Sequence, residues 1–137
     1  MILTDAGPLI AILDRDDQDH KSCVAALSRL HGIMVTSSAA FTEAIYLLGA
    51  RTGWAGQEAL FTLVERGDLL TLDLSVSDMA QCRALMKQYR NVPMDFADAT
   101  LVVLAGRIRT LRVFTLDSDF RTYRSLTKRA FTIIPKL

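Results

Sequence analysis

The sequence has few of the residues that form disulfides or bind transition metals. Its 137 residues include two cysteines and two histidines. Cys23 and Cys82 share no C-x-x-C spacing, so we expect both to be reduced core residues within helices. His20 and His31 lie near the two ends of a predicted helix without metal-ligand spacing, and we assign them no chemistry. These absences argue against a zinc, redox or disulfide-rich protein.

The sequence also lacks the motifs of several common enzyme classes. It has no Ser-His-Asp set, no G-x-x-x-x-G-K phosphate loop and no G-x-G-x-x-G dinucleotide turn. No internal repeat, low-complexity tract or linker interrupts it. Because 50% of the residues are hydrophobic, the chain can bury one ordinary core, and we predict a single domain over residues 1–137.

No apolar run is long enough to cross a membrane. The longest, residues 101–105 with its flanks, falls short of the roughly 20 residues that a transmembrane helix needs. Residues 1–4 form a β-prone run without the basic and apolar segments of a secretory signal. We therefore expect a soluble, cytoplasmic protein with no membrane partner.

The two ends of the chain carry opposite charge. Residues 1–98 have 8 basic and 13 acidic side chains, a net charge of −5, whereas residues 99–137 have 8 and 2, a net charge of +6. A basic final third is typical of contact with nucleic-acid phosphates. On charge alone, a solvated helix face and tail explain it equally well.

Short β-prone runs alternate with longer helical ones along the whole chain. The pattern predicts strands at residues 2–4, 33–36, 69–72, 112–116 and 131–134. It predicts helices at residues 8–13, 17–30, 38–51, 57–66, 77–89 and 95–109, with Ser77 as the N-cap of the fifth. Strands joined by helical crossovers indicate an α/β fold, a three-layer α/β/α sandwich with a mostly parallel central sheet.

Two carboxylates follow predicted strands directly. Asp5 comes after the first strand and Asp117 after the fourth. The carboxyl ends of parallel strands meet at one edge of the sheet, where ligands bind in such folds. Asp119 fits the cap of a following helix over residues 120–124, so Asp117 is the better candidate for a site.

Glu43 is the one charge in the otherwise apolar helical segment of residues 39–48. A carboxylate buried among apolar neighbours is unfavourable unless a cation or strong donors meet it. That reading makes Glu43 a metal ligand. The alternative is an exposed glutamate on a half-buried helix.

Asp95 and Asp98 begin the sixth predicted helix. Asp95 has the position of an N-cap, and Asp98 lies at N3, where the helix dipole favours an acid. A first-turn carboxylate can also point into a cleft. Clustered acids without a basic residue favour a hard cation such as Mg²⁺ or Mn²⁺, and metal-assisted hydrolysis of a phosphodiester is the chemistry that remains.

Four segments together resemble the PIN-domain family. They are the Asp after the first strand, the Glu of the apolar helix, the Asp-Ala pair at residues 98–99, and the sequence TLDSDF at residues 115–120. Their order and spacing extend over nearly the whole chain, whose length is similar to that of the VapC-type toxins of toxin–antitoxin pairs. One departure is Ala6, where many relatives carry a hydroxyl residue.

The resemblance implies a Mg²⁺-dependent endoribonuclease in which Mn²⁺ can substitute. It implies an RNA substrate and a small antitoxin protein that occupies the acidic cleft. Arg51, Arg121 and Arg124 are candidates for holding flanking phosphates. The implied catalytic and metal-binding residues are a quartet with two additional candidate ligands: Asp5, Glu43, Asp98 and Asp117, then Asp95 and Asp119.

Three alternatives stay open from the sequence. One is a receiver-like signalling domain that binds Mg²⁺, although Ala6 and Pro135 stand near the places where it needs an acid and a lysine. The others are a catalytically silent binding protein and a free-standing PIN-type RNA-processing nuclease. The high apolar content further predicts an exposed patch and a homodimer that covers it.

Overall fold

The computed structural model describes residues 1–136, which form a five-stranded sheet flanked by six helices. The strands are β1 (Ile2–Thr4), β2 (Met34–Ser37), β3 (Leu69–Leu72), β4 (Arg112–Phe114) and β5 (Thr132–Ile134). The helices are α1 (Ala6–Leu13), α2 (His20–Arg29), α3 (Ser38–Thr52), α4 (Trp54–Glu65), α5 (Val76–Gln88) and α6 (Phe96–Ile108).

All five strands are parallel, in the order β3-β2-β1-β4-β5. The central strand β1 is paired on both sides, with Leu3 opposite Val35 on β2 and Val113 on β4. Its three residues are fully buried, as expected for a parallel strand covered on both faces. The predicted α/β sandwich with a parallel sheet is confirmed.

Alternate side chains of the strands enter two separate cores. Leu3 and Val113 pack with α5 and α6, where residues 99 and 101–105 are buried in succession. Ile2 and Phe114 pack on the opposite face with α1, α2 and α4. Both cysteines are buried in these cores with free thiols, as predicted. The carboxyl ends of β1, β2 and β4 therefore lie between two layers of helices, one packed on each face of the sheet.

Three helices begin at residues other than those predicted. Asp5 caps α1 at Ala6, whereas α2 begins only at His20, because Asp14 and Asp17 accept the amides two residues on and hold a turn. Helix α4 begins at Trp54, directly after Gly53. The predicted starts at residues 8, 17 and 57 were wrong.

The N-cap of α5 is Ser75, not Ser77 as predicted. Its hydroxyl accepts from the amide of Asp78, and the Asp78 carboxylate accepts from the amide of Ser75, which forms a capping box. Two reciprocal bonds fix the helix start two residues earlier than Ser77 would.

Among residues 1–136, no helix is both long enough and apolar enough to cross a membrane.

Candidate active site

Six carboxylates gather at the carboxyl edge of the sheet. Asp5 follows β1, and Asp117 and Asp119 follow β4. Helices α3 and α6 begin at the same edge and contribute Glu43, and Asp95 with Asp98. The pKa values of Asp5, Glu43, Asp98 and Asp117 are raised by burial and by the charges of neighbouring acids at this edge. The structure thus brings together every acid singled out in the sequence: Asp5, Glu43, Asp95, Asp98, Asp117 and Asp119.

Asp5 lies at the buried centre of this edge, with 8% of its surface exposed. Its Oδ1 accepts from the amide of Ala6 at 2.7 Å, and its Oδ2 accepts from the hydroxyl of Thr115 at 2.9 Å. Burial, with smaller contributions from the charges of Glu43 and Asp117, raises the pKa of Asp5 to about 6 despite these two bonds. The fold holds this carboxylate in one orientation, although burial disfavours its charge.

Asp98 is the second buried acid, with 7% exposure at the N3 position of α6. Its Oδ2 accepts from the Tyr123 hydroxyl at 3.0 Å, and its amide donates to Asp95, the N-cap of the helix. Burial, together with the charges of Asp95, Asp5 and Asp117, raises the pKa of Asp98 to about 8. The predicted capping role of Asp95 is confirmed.

Asp117 caps a short 3₁₀ turn over Ser118–Arg121 by accepting the amide of Asp119 at 2.9 Å. Desolvation raises its pKa, as do the charges of Asp119 and Asp95. The helix predicted after Asp119 therefore starts one residue before it, and Asp119 was wrong as its cap. An Asx turn explains the shift, because the Asp117 side chain reaches the backbone two residues on.

Glu43 is exposed on α3, so the prediction of a buried carboxylate was wrong. The buried stripe of this helix is Ala40, Ala44 and Leu48, which places Glu43 at its margin. Partial desolvation, Asp95 and Asp117 nevertheless raise its pKa. The side chain faces the other acids from an open rim.

No basic side chain neutralises the acidic edge. Within residues 1–136, ion pairs join arginines only to Asp17, Asp68 and Asp78, none of which belongs to it. A groove of about 570 Å³ adjoins the site and is lined by Glu43, Asp17 and Arg51 among others. Glu43 is the only member of the quartet in that lining, so the groove is a neighbour of the acidic edge.

The PIN domain model matches residues 2–126, most of the chain. This chain belongs to the PIN domain family. Its sequence is 27% identical over 135 residues to Ribonuclease VapC26 of Mycobacterium tuberculosis (strain ATCC 25618 / H37Rv), with 98% of this chain and 100% of that protein covered. Family membership removes the receiver-like alternative.

Two solved structures share the PIN fold of this chain. The crystal structure of Mycobacterium tuberculosis VapC20, described as a Sarcin-Ricin loop cleaving toxin, has a TM-score of 0.82 at 16% identity, covering 89% of this chain and 94% of that one. A toxin-antitoxin complex from Klebsiella pneumoniae has a TM-score of 0.66 at 17% identity, covering 88% and 90%. At these identities the likeness concerns the fold.

The PIN site has the donor chemistry for a hard divalent cation. All candidate ligands are carboxylate oxygens, and none of them forms an ion pair with a basic side chain of residues 1–136. In residues 1–136 the side chains do not form a group of three or more already at coordinating distances. The electrostatics, rather than a preformed cage, therefore fit a divalent cation.

Two hydroxyl groups of the site were not identified from the sequence. Thr115 was placed within the predicted strand of residues 112–116, and Tyr123 belongs to none of the sequence motifs. Thr115 donates to Asp5, so it supplies a hydroxyl contact although residue 6 is alanine. Tyr123 is fully buried, and its ring makes edge-to-face contacts with Tyr89 and Phe120, at 5.1 Å and 5.2 Å between ring centroids. Burial raises its pKa, so the hydroxyl stays protonated and donates to Asp98.

The three arginines predicted to hold phosphates differ in whether their side chains already bond to other groups of the protein. Arg51 pairs with Asp17 at 3.1 Å, and Arg124 donates to the carbonyl oxygens of residues 121–123. Arg121 is exposed at the end of the 3₁₀ turn. Of the three arginines, Arg121 is the one with no described bond from its side chain.

Proposed function

We propose that this PIN-domain protein is a metal-dependent endoribonuclease and the toxin of a toxin–antitoxin pair. The observation that carries the proposal is the cluster of mutually repelling carboxylates at the sheet edge, with no basic partner within residues 1–136. The named activity of the relative VapC26 supports RNA as the substrate. The proposed catalytic and metal-binding residues are Asp5, Glu43, Asp98 and Asp117, with Asp95 and Asp119 as additional ligands.

Mg²⁺ is the proposed cofactor and Mn²⁺ its substitute. When bound, the metal would polarise the scissile phosphate and lower the pKa of a water molecule. The chain's own part is to orient the ligands: Thr115 and the amide of Ala6 fix Asp5, and Tyr123 fixes Asp98. The buried positions of Asp5 and Asp98 also limit water around their charges.

A cleavage assay tests the proposal with RNA oligonucleotides and purified protein. We expect cleavage with Mg²⁺ or Mn²⁺, none with excess EDTA, and recovery when Mg²⁺ is restored. Zn²⁺ alone should not support activity, because the ligands are hard oxygens. Full activity in excess EDTA would contradict the metal-dependent mechanism.

An exposed aromatic cluster supports a protein partner. Trp54 and Phe61 on α4 are 63% and 41% exposed, and Phe61 contacts Phe41 of α3 at 5.6 Å between ring centroids. Apolar surface of this kind favours association. We propose a homodimer, and also a small antitoxin, in line with the toxin–antitoxin complex that shares the fold.

Light scattering at micromolar concentration and co-expression test these partners. We expect a dimer, slow growth of cells that express the chain alone, and restored growth when an antitoxin gene beside the toxin gene is expressed. A monomer that is harmless to its host yet cleaves RNA would favour the free-standing nuclease instead. We further propose a single domain and a cytoplasmic location.

A further inference from the structure

A small pocket lies at the end of α6 that is remote from the acidic edge. Its volume is about 200 Å³, and its polar lining comes from Arg109, Thr110, Ser125, Thr127 and Arg129; we name it the basic pocket. Asp98 lies in the first turn of α6, and Arg109 follows its last residue. At 1.5 Å per residue, about 16 Å of helix separate the two.

Among residues 1–136, no acidic side chain pairs with the arginines of the basic pocket. No acidic residue is in its lining, and the ion pairs of residues 1–136 include neither Arg109 nor Arg129. The field of this pocket therefore attracts an anion.

The backbone around the pocket is unusual. Arg109 (φ 55) and Lys128 (φ 64) are the two residues other than glycine with positive φ in the described chain. Glycine is the preferred residue at a left-handed helix C-cap such as Arg109, because a side chain strains that conformation. The helix dipole explains a cation near the end of α6, but it does not explain the positive φ angles of Arg109 and Lys128. Strain of this kind is found at functional sites.

Hydroxyl groups complete the lining. Ser125 Oγ lies 3.0 Å from Thr127 Oγ1 and accepts the amide of Arg129 at 3.1 Å. The loop reaches α6 closely because residue 106 is glycine: a Cβ there would lie 2.9 Å from Leu126 Cδ1. The lining therefore combines two hydroxyl residues with two arginines, and hydroxyl and guanidinium groups both bind phosphate oxygens.

We propose that the basic pocket is a phosphate-binding site, separate from the acidic edge and independent of the proposed cleavage. Its ligand is a single phosphate group, either on a small molecule or in an RNA backbone. Because the pocket lies so far from Asp98, that phosphate is not the one proposed to be cleaved. Arg109 and Arg129 hold it, with Ser125 and Thr127 as hydroxyl donors.

A titration with inorganic phosphate, followed by amide NMR of the full chain in EDTA, tests the site. We expect saturable shifts confined to residues 105–111 and 125–129. Arg109→Gly should weaken binding at least tenfold and keep or raise the melting temperature, because glycine suits the left-handed backbone. Arg129→Gln should weaken binding similarly. Arg83→Ala, which removes an equal charge from exposed α5, should bind phosphate as the unmodified chain does.

Shifts that do not saturate, or equal binding by Arg109→Gly and the unmodified chain, would overturn the proposal. The second arm replaces phosphate with an RNA oligonucleotide in EDTA, which prevents cleavage. Shifts of the same amides, lost in Arg109→Gly, assign the phosphate to RNA. Phosphate binding without RNA shifts at these amides assigns it to a small molecule. If the unmodified chain fails to cleave RNA in a separate assay, that result counts against the proposed role of the acidic edge and not against the phosphate-binding site.

Discussion

Asp78 and Asp98 occupy the same place in two helices and have opposite electrostatics. Each lies at N3 of a 13-residue helix, each is about 93% buried, and the amide of each donates to an N-cap side chain. Asp78 also accepts from Arg107 at 2.9 Å, and the bonds with Ser75 and Arg107 lower its pKa. Asp98 has no cation beside it, and its pKa rises to about 8.

The difference separates a structural acid from a candidate catalytic one. Asp78 is matched by donors and a cation, so its charge stabilises the start of α5. Asp98 receives one hydroxyl bond among neighbouring acids, so its charge is unfavourable until a cation arrives. Local helix chemistry is shared by the two positions, and the surroundings decide their roles.

The largest expected effect separates the two acids by activity. Asp98→Asn should reduce RNA cleavage by about 100-fold or more, the scale of losing one group that stabilises charge in a reaction. Its melting temperature should stay unchanged or rise, because repulsion is relieved. Asp78→Asn should leave cleavage unchanged and lower the melting temperature by about 3–6 °C. A loss of about 1 kcal/mol in the free energy of unfolding has that effect in a chain of this size. Wild-type cleavage by Asp98→Asn would remove that residue from the site.

A second comparison sharpens the role of the hydroxyl bond to Asp98. Tyr123→Phe deletes the hydroxyl donor and keeps the edge-to-face ring contacts. We expect the affinity for Mn²⁺ to fall about tenfold, as it does when other contacts that orient a metal ligand are removed. Tyr89→Phe is the matched control, since its hydroxyl accepts from the amide of Arg124 and touches no acid. Calorimetric titration with Mn²⁺ measures both. Equal affinities in the two variants would show that Tyr123 serves packing alone.

The pH dependence of stability should have opposite signs at the two acids. In metal-free protein, the raised pKa values of Asp5 and Asp98 give stability below pH 4 that is lost as pH rises through about 6 and about 8. The lowered pKa of Asp78 gives stability above its usual value of 3.8 that is lost as pH falls through its folded pKa. Melting curves in EDTA from pH 3 to 9 measure these slopes.

Substitutions identify the source of each slope. Asp98→Asn should flatten the decline between pH 6 and 9, and Asp78→Asn should weaken the loss at acid pH. Mg²⁺ should raise the melting temperature more at pH 8 than at pH 5, because protons compete with the metal. A Mg²⁺ effect that is the same at both pH values would contradict the raised pKa of Asp98.

The smallest effect concerns the cap of the structural acid. Ser75→Ala removes the hydroxyl that accepts from Asp78, and we expect a loss of about 1 kcal/mol in the free energy of unfolding. RNA cleavage should be unchanged, because the cap lies outside the acidic edge. Urea unfolding measures the loss. A cleavage defect larger than the loss of folded protein would show that the two helix starts are coupled.

The sequence by itself determined the layered architecture. Alternating apolar runs predicted a parallel sheet with helices on both faces, and topology then placed Asp5 and Asp117 at one edge. These inferences need only local periodicity and the handedness of crossovers. Helix starts were less accurate, since Asp14, Gly53 and Ser75 fix them through individual side-chain bonds or a single backbone angle.

Only the tertiary structure decided which acids are compensated. Arg107 reaches Asp78 across 29 residues, Tyr123 reaches Asp98 across 25, and Thr115 reaches Asp5 across 110. The exposure of Glu43 likewise follows from how α3 packs on its neighbours. The pKa of a carboxylate depends on burial and on the charges within a few ångströms, and those neighbours are assembled by folding rather than by proximity in sequence.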